Sequence, residues 1–306
     1  AELRTPFLDA LLGALTNCGG ELVFMAAAII VFWCVSKSCG YYMLTVGFVG
    51  TIVNQFLKLV FRIPRPWVKD PNFQIVESAR AEATGYSFPS GHTQNVFASF
   101  GCLGRWTKRT WLRVVCALLI VVTAFSRMYL GVHTPLDVGV SFGIGLVLVF
   151  ALYPLFRDID SHPKRLYLLF VAMAVLSAAY LLFAELWPFP ADVDAANLAS
   201  GRKNAYTLLG AVLGMTVAYW LDRRYVHFDV RAVWWAQVLK AVLGLAITIG
   251  LRAALKAPLL ALCGGHNVAN LIRYALMVIF AAGIWPMTFG WFGRLGQKKP
   301  ASGASD

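Results

Sequence analysis

Three stretches of the chain hold more charge and more small polar side chains than their apolar surroundings require. They are KLVFRIPRP at Lys58–Pro66, PSGH at Pro89–His92 and SRMYLGVHTPLD at Ser126–Asp137. The groups they bring together include three cations (Lys58, Arg65, Arg127) besides Arg62, two histidines (His92, His133), one carboxylate (Asp137) and a helix start rich in small residues, Ser90 and Gly91. That set matches the needs of a phosphate anion. Ser90 is placed to cap a helix and Gly91 to let backbone N–H groups approach a ligand at the positive end of the helix dipole. Asp137 follows His133 by four residues, on the same helical face, with Pro135 suited to the first turn. A carboxylate so placed fixes the imidazole tautomer and leaves the other ring nitrogen free to react. Lys58 and Arg65 share a face if their helix continues, and Pro64 and Pro66 predict where it stops.

These residues need a scaffold, and composition indicates which. At 59% hydrophobic and 14% charged, the 306 residues have more apolar side chain than one water-soluble core uses, so the expected solvent is a bilayer. The net charge of +12 does not indicate nucleic acid, because no basic stripe with interleaved aromatics accompanies it. The six cysteines lack paired metal-ligand spacing and read as small buried hydrophobes. Nine apolar spans are expected, near 21–36, 41–61, 92–104, 111–127, 135–156, 166–187, 206–221, 232–254 and 268–291. Residues 1–20 are expected to form an interfacial amphipathic helix, with no cleavable signal peptide before the first span. The fold class is therefore all-α, a polytopic transmembrane helical bundle. Its expected divisions are 1–20, a six-span core at 21–187, and a C-terminal extension at 188–306 with about three further spans.

Lys and Arg concentrate in alternate loops, at Lys37, 105–113, 157–165, 223–231 and 294–299. The positive-inside rule puts that side in the cytoplasm. The loops at 62–91, 128–134, 188–205 and 256–267 then face outward, and this alternation alone brings the three charged stretches to one membrane face.

In order and spacing the three stretches resemble the signature motifs of the type 2 phosphatidate phosphatase superfamily, over residues 20–187. The last 115 or so residues carry no recognisable motif. The resemblance implies a hydrolase in which His133 is the nucleophile, Asp137 holds its ring, and His92 serves as acid and then base. It also implies that Lys58, Arg65, Arg127, Ser90 and the backbone at Gly91 bind phosphate oxygens. No cofactor and no metal are implied, and the spans hold no cluster of Asp and Glu ligands. The expected partner is a lipid phosphate in the bilayer: phosphatidate, lysophosphatidate, phosphatidylglycerophosphate, a sphingoid phosphate or a polyprenyl diphosphate. A bacterial cytoplasmic membrane with an outward-facing site is expected. A soluble sugar-phosphate phosphatase of the glucose-6-phosphatase type, and a lipid-phosphate transporter or scaffold, are the alternatives. Intact His92, His133 and Asp137 weigh against a transporter, since a binder needs the cations but no nucleophile.

Further polar residues have lesser roles in this reading. Arg62 and Asn54 are candidate substrate contacts. Asn54, Gln94 and Glu21 also read as sources of interhelical hydrogen bonds. Lys240 and Arg252, inside a span, are expected to snorkel or face a polar seam. His162, His227 and His266 read as solvent-exposed loop residues without partners.

Overall fold

The computed structural model describes residues 4–295, and every regular element among them is helical. Lys298 and Lys299, counted above among the basic loop charges, lie outside the described residues. Helix α1 (Pro6–Thr16) starts at Thr5, whose hydroxyl accepts the Leu8 N–H. After a short turn at Asn17–Gly19 the chain bends by 49° into α2 (Glu21–Cys34). Helix α3 (Lys37–Phe61) is capped by Ser36 and ends where Arg62 adopts a left-handed conformation with φ of 49°. It is the central helix, buried along most of its length. Gly40 and Gly47 let α2 close on it, since a Cβ at Gly47 would lie 2.0 Å from the Phe24 ring.

The one-turn α4 (Pro66–Lys69) opens the long loop that returns to α5 (Gly91–Val96). A π-helical turn at Phe97–Gly101 joins α5 to α6 (Cys102–Trp106). Helices α7 (Thr110–Tyr129), α8 (Pro135–Phe156) and α9 (Pro163–Leu186) complete the first half of the bundle. The second half contains α10 (Ala195–Leu221), α11 (Trp234–Ala254), α12 (Lys256–Leu262), α13 (Val268–Ile279) and α14 (Phe289–Arg294).

Among the described residues, seven helices are long and apolar enough to cross a membrane, or eight if the bent pair α1 and α2 counts as one span. The chain is a multi-pass membrane protein. Mid-helix side chains on the outer surface show what surrounds it: Val147, Leu168, Val175 and Ile249 are each more than 60% exposed, in positions only lipid would favour.

Seven or eight of the described helices meet that length, against nine expected spans. The stretch near 92–104 forms the α5–α6 unit, about 24 Å long at 1.5 Å per residue, short of a ~30 Å hydrocarbon layer. It is enclosed by other helices, with Thr93, Gln94, Val96, Ala98 and Cys102 all buried, so it need not match the bilayer. Two expected loops also contain helix. The 188–205 loop gives way to α10 at Ala195, and the 256–267 turn contains α12.

Helix α10 joins the halves. It packs on α9 through Tyr180 Oη, which donates to Gly201 O at 2.9 Å, and on α3 through Asn204 Nδ2, which donates to Gln55 Oε1 at 3.1 Å. Against α13, Gly210 and Gly214 form a small-xxx-small face, where a Cβ at Gly210 would lie 2.1 Å from Leu271 O. At the other end of the bundle, Lys37 pairs with Asp222 at 2.8 Å. Lys240 does not snorkel: it is fully buried and donates to Trp33 O at 2.9 Å and Val230 O at 3.1 Å. Arg252 is exposed, with its guanidinium 6.0 Å from the Tyr274 ring centre.

Candidate active site

The C-terminal ends of α3 and α7 and the N-terminal ends of α5 and α8 meet at one end of the bundle, and every motif residue sits there. Lys58, Arg65, Ser90, Arg127, His133 and Asp137 are all buried, while the His92 side chain keeps 16% of its surface exposed.

Helix α3 does not carry Lys58 and Arg65 on one continuing face, because it stops at Phe61 and Arg65 precedes α4. Loop geometry brings them together instead. Lys58 Nζ donates to the Tyr86 carbonyl. Arg65 donates Nε to Gly85 O at 3.0 Å, Nη2 to Thr84 O at 2.7 Å and Nη1 to Val132 O at 2.9 Å. Backbone carbonyls from the 84–86 stretch thus orient two cations without neutralising them.

His133 follows a tight turn in which Val132 and His133 both direct their N–H groups to Arg127 O, at 3.2 and 3.3 Å. Gly131 supplies the positive φ, 79°, that the turn needs. Arg65 Nη1 lies 2.9 Å from His133 Nε2. A guanidinium only donates, so Nε2 carries the lone pair and Nδ1 the proton. Asp137 Oδ2 stands 3.5 Å from Nδ1, an ion-pair separation too long and misaligned for a well-formed hydrogen bond. Burial holds the His133 imidazole well below its ordinary pKa; the contact with Asp137 opposes this, and the charges of Arg65, Lys58 and Arg127 add to it. The ring is neutral at physiological pH.

Asp137 is itself held in place. Its carboxylate accepts the Thr134 N–H at 2.8 Å while Thr134 Oγ1 accepts the Asp137 N–H, a reciprocal capping box at the start of α8. Ser87 Oγ donates to Oδ2 at 2.5 Å. Ser90 caps α5 as expected, accepting the Thr93 N–H, and Ser90 N–H reaches Asp137 O at 3.1 Å. A Cβ added at Gly91 would meet nothing within 4 Å, so this helix start is not packed against protein.

His92 Nε2 lies 3.4 Å from Glu82 Oε2, on the rim. Arg127 Nη1 donates to Thr16 Oγ1 at 2.9 Å. Neither Glu82, Ser87 nor Thr16 stands out in the sequence. Each is an ordinary loop or helix-end residue, and no periodicity connects it to the group it touches.

Two candidate contacts stand apart from the cluster. Arg62 turns back on its own helix, with Nη1 donating to Leu59 O at 3.2 Å. Asn54 and Gln94 are buried one turn inward from Lys58 and Ser90, but their side-chain amides have no hydrogen-bond partner among the described residues, contrary to the interhelical bonds expected of them. Glu21 lies exposed at the start of α2. Two loop histidines have neighbours after all: His162 sits 3.4 Å from Asp158, and His266 packs edge-on to Tyr206. Among the described residues, no three His, Cys, Asp or Glu side chains gather in a metal-binding arrangement.

Within the buried cluster, three cations face one carboxylate around a neutral imidazole and a helix N-terminus. Such a site is short of negative charge and suited to an anion that brings its own. Residues 37–161, which contain all three motifs, match the PAP2 superfamily, and residues 206–298 match the PAP2 superfamily phosphatase transmembrane extension.

The chain belongs to the PAP2 superfamily.

Among PAP2 relatives, the chain is similar to the undecaprenyl-diphosphatase BcrC of Bacillus subtilis, 34% identical over 35% of this chain and 52% of the relative. It is 27% identical to a probable sphingosine-1-phosphate phosphatase of Dictyostelium discoideum, over 72% of this chain and 56% of the relative. The phosphatidylglycerophosphatase B of Bacillus subtilis is 24% identical over 53% of this chain and 80% of the relative. The chain thus spans only about half the length of the first two. No solved structure matches it. The extension match identifies α10–α14 as a recurring PAP2 attachment, which the three motifs alone do not reveal.

Proposed function

We propose that the chain is a metal-independent phosphatase acting on a lipid phosphate or diphosphate through a phosphohistidine. One observation carries this reading: His133 is buried and neutral, with Nε2 among cations and Nδ1 toward Asp137. Phosphate oxygens entering the cluster draw the Arg65 guanidinium to themselves and release the Nε2 lone pair. Nε2 then forms a bond to phosphorus while the bond to the leaving oxygen breaks. His92 gives that oxygen a proton, and Asp137 stabilises the charge developing on the His133 ring. In the second half, His92 takes a proton from water as the water oxygen attacks phosphorus, and the P–N bond breaks to release inorganic phosphate. Lys58, Arg65, Arg127 and the N-terminus of α5 stabilise the equatorial oxygens throughout.

The relatives' names support a lipidic substrate, and the site's place at the helix ends supports it independently. A phosphate held there lies at headgroup depth while its hydrocarbon remains in the bilayer. Alternation of basic loops supports an outward-facing site, and the bacterial relatives support a cytoplasmic membrane. The division into 1–20, 21–187 and 188–306 remains our reading of the domains.

The direct test is phosphate release from purified protein with EDTA present, across polyprenyl diphosphate, phosphatidylglycerophosphate, phosphatidate, sphingoid phosphate and glucose 6-phosphate. Turnover of the lipids is expected. Abolition by EDTA would refute the metal-free route, and preference for the sugar phosphate would refute the lipid substrate. Modification of cysteines introduced at residues 72–84 by an impermeant reagent from the cytoplasmic side alone would reverse the proposed orientation.

A further inference from the structure

The residues before Lys37 fall outside both PAP2 matches, yet they reach the phosphate site. Thr16, the last residue of α1, is 4% exposed, and its hydroxyl accepts the 2.9 Å hydrogen bond from Arg127 Nη1 across 111 residues of sequence. Arg127 is 1% exposed, and its Nε has no partner among the described residues. Three residues on, Gly19 packs so closely against α5 that an added Cβ would lie 2.5 Å from His92 O and 2.9 Å from Thr123 Cγ2. The segment from α1 to α2 therefore presses on both the acid-base histidine and one phosphate-binding arginine. It is tied down at its outer end as well: Tyr129 Oη donates to Asp9 Oδ1 at 2.8 Å, and Arg4 Nη2 donates to Gln74 O and Tyr129 O.

We infer that Thr16 is a positioning residue for Arg127, and that the N-terminal helix α1 is thereby a structural part of the phosphate site. The chemistry of the pair supports this. A carboxylate at position 16 would hold the guanidinium but cancel its charge, whereas a neutral hydroxyl fixes one N–H and leaves the full charge for an incoming oxyanion. Two faces of α1 serve two media, since Leu12 and Thr16 are buried against the bundle while Phe7 and Leu11 are exposed on its outer side.

This inference rests on the phosphatase reading, and vanadate binding to the full-length, detergent-purified chain separates the two. Thr16→Val removes the acceptor at nearly constant volume, and Thr16→Ser retains it. Loss of one hydrogen bond to a charged group is expected to weaken vanadate roughly tenfold in Thr16→Val, with Thr16→Ser within about twofold of wild type. KM should rise and kcat/KM fall by a similar factor, with kcat little changed and thermal stability near that of wild type. Combined with Arg127→Lys, Thr16→Val should add little, because both act through one guanidinium. Equal vanadate affinity in wild type and Thr16→Val, with Arg127→Ala binding none, would overturn the role of Thr16 and leave the phosphatase reading intact. A weakened Thr16→Val in a chain that turns over no phosphate ester would support the anion-positioning role while refuting the phosphatase.

Discussion

Two buried lysines, one in each half of the bundle, solve the same problem to different ends. Lys58 lies in α3 at the mouth of the site, and Lys240 lies in α11 near the opposite end; both are buried, and both donate to backbone carbonyls. The ammonium of Lys240 is fully used. It binds the carbonyl ends of α2 and of the 226–233 connection, and it stands 4.3 Å over the Phe289 ring, so it clasps the extension to the core. Lys58 stands instead in a cluster with Arg65, Arg127 and a single buried carboxylate, where cations outnumber their counter-ions. Burial of a cation therefore does not by itself set the candidate site apart from a structural clasp in this protein; an excess of cations over counter-ions does.

The strongest test of this contrast removes the chemistry at its centre. His133→Ala should abolish turnover, by more than about 10⁴-fold, while vanadate or phosphate binding to the purified protein stays measurable. Near-normal turnover would show that the cluster binds anions without His133 as nucleophile.

Next in size is the direct comparison of the lysines. Lys58→Met should lower kcat by about 10²–10³-fold, the effect of losing one preorganised donor. Lys240→Met should leave kcat within about twofold, because the methionine fills the same volume and no site group depends on it; equal loss in both variants would erase the distinction. Glu82→Gln should reduce kcat/KM by about tenfold and move its pH profile, since Glu82 is the carboxylate nearest His92. An unchanged profile would leave Glu82 as a surface residue.

The smaller effects concern the extension and the pH response. Gly210→Val would drive a side chain into Leu271 O, so the detergent-solubilised protein should melt several degrees lower with the activity per folded molecule unchanged. For His133, the folded-state pKa lies well below its unfolded value of about 6.5. Above pH 6.5 the ring is neutral in both states and contributes no pH dependence. As pH falls below 6.5 the unfolded chain binds a proton that the folded chain does not, so stability should decline there, and less so in His133→Ala. For the same reason, no acid limb of kcat/KM near pH 6.5 should disappear on changing groups around His133.

Much of this was legible in the residues. The motif positions identify the groups that meet at the site, and local rules account for the caps: Ser90 at the start of α5, Pro135 and Thr134 at the start of α8, and the end of α3 before Pro64. Less local features escape such rules for identifiable reasons. Arg202, Lys203 and Asn204 make the start of α10 read as a loop, yet Arg202 is held by Ala184 O at 3.0 Å and by Glu185 at 3.3 Å, and Asn204 by Gln55, so a polar helix is stable there. The α5–α6 unit reads as a lipid-facing span because its side chains are apolar, but it is short and they face protein on most sides.

The sequence by itself determined the solvent, the all-helical class and the candidate reacting groups, because a bilayer's demand for long apolar helices and the demand that a phosphate would make for cations and a nucleophile leave local marks on residue type and spacing. Only the tertiary structure decided how those groups are held. Ser87 on Asp137, Glu82 beside His92, Thr16 on Arg127 and the 84–86 carbonyls on Lys58 and Arg65 are contacts of common residues across loops and helices. Such contacts arise from where the helices pack, and neither composition nor periodicity encodes a partner that far along the chain.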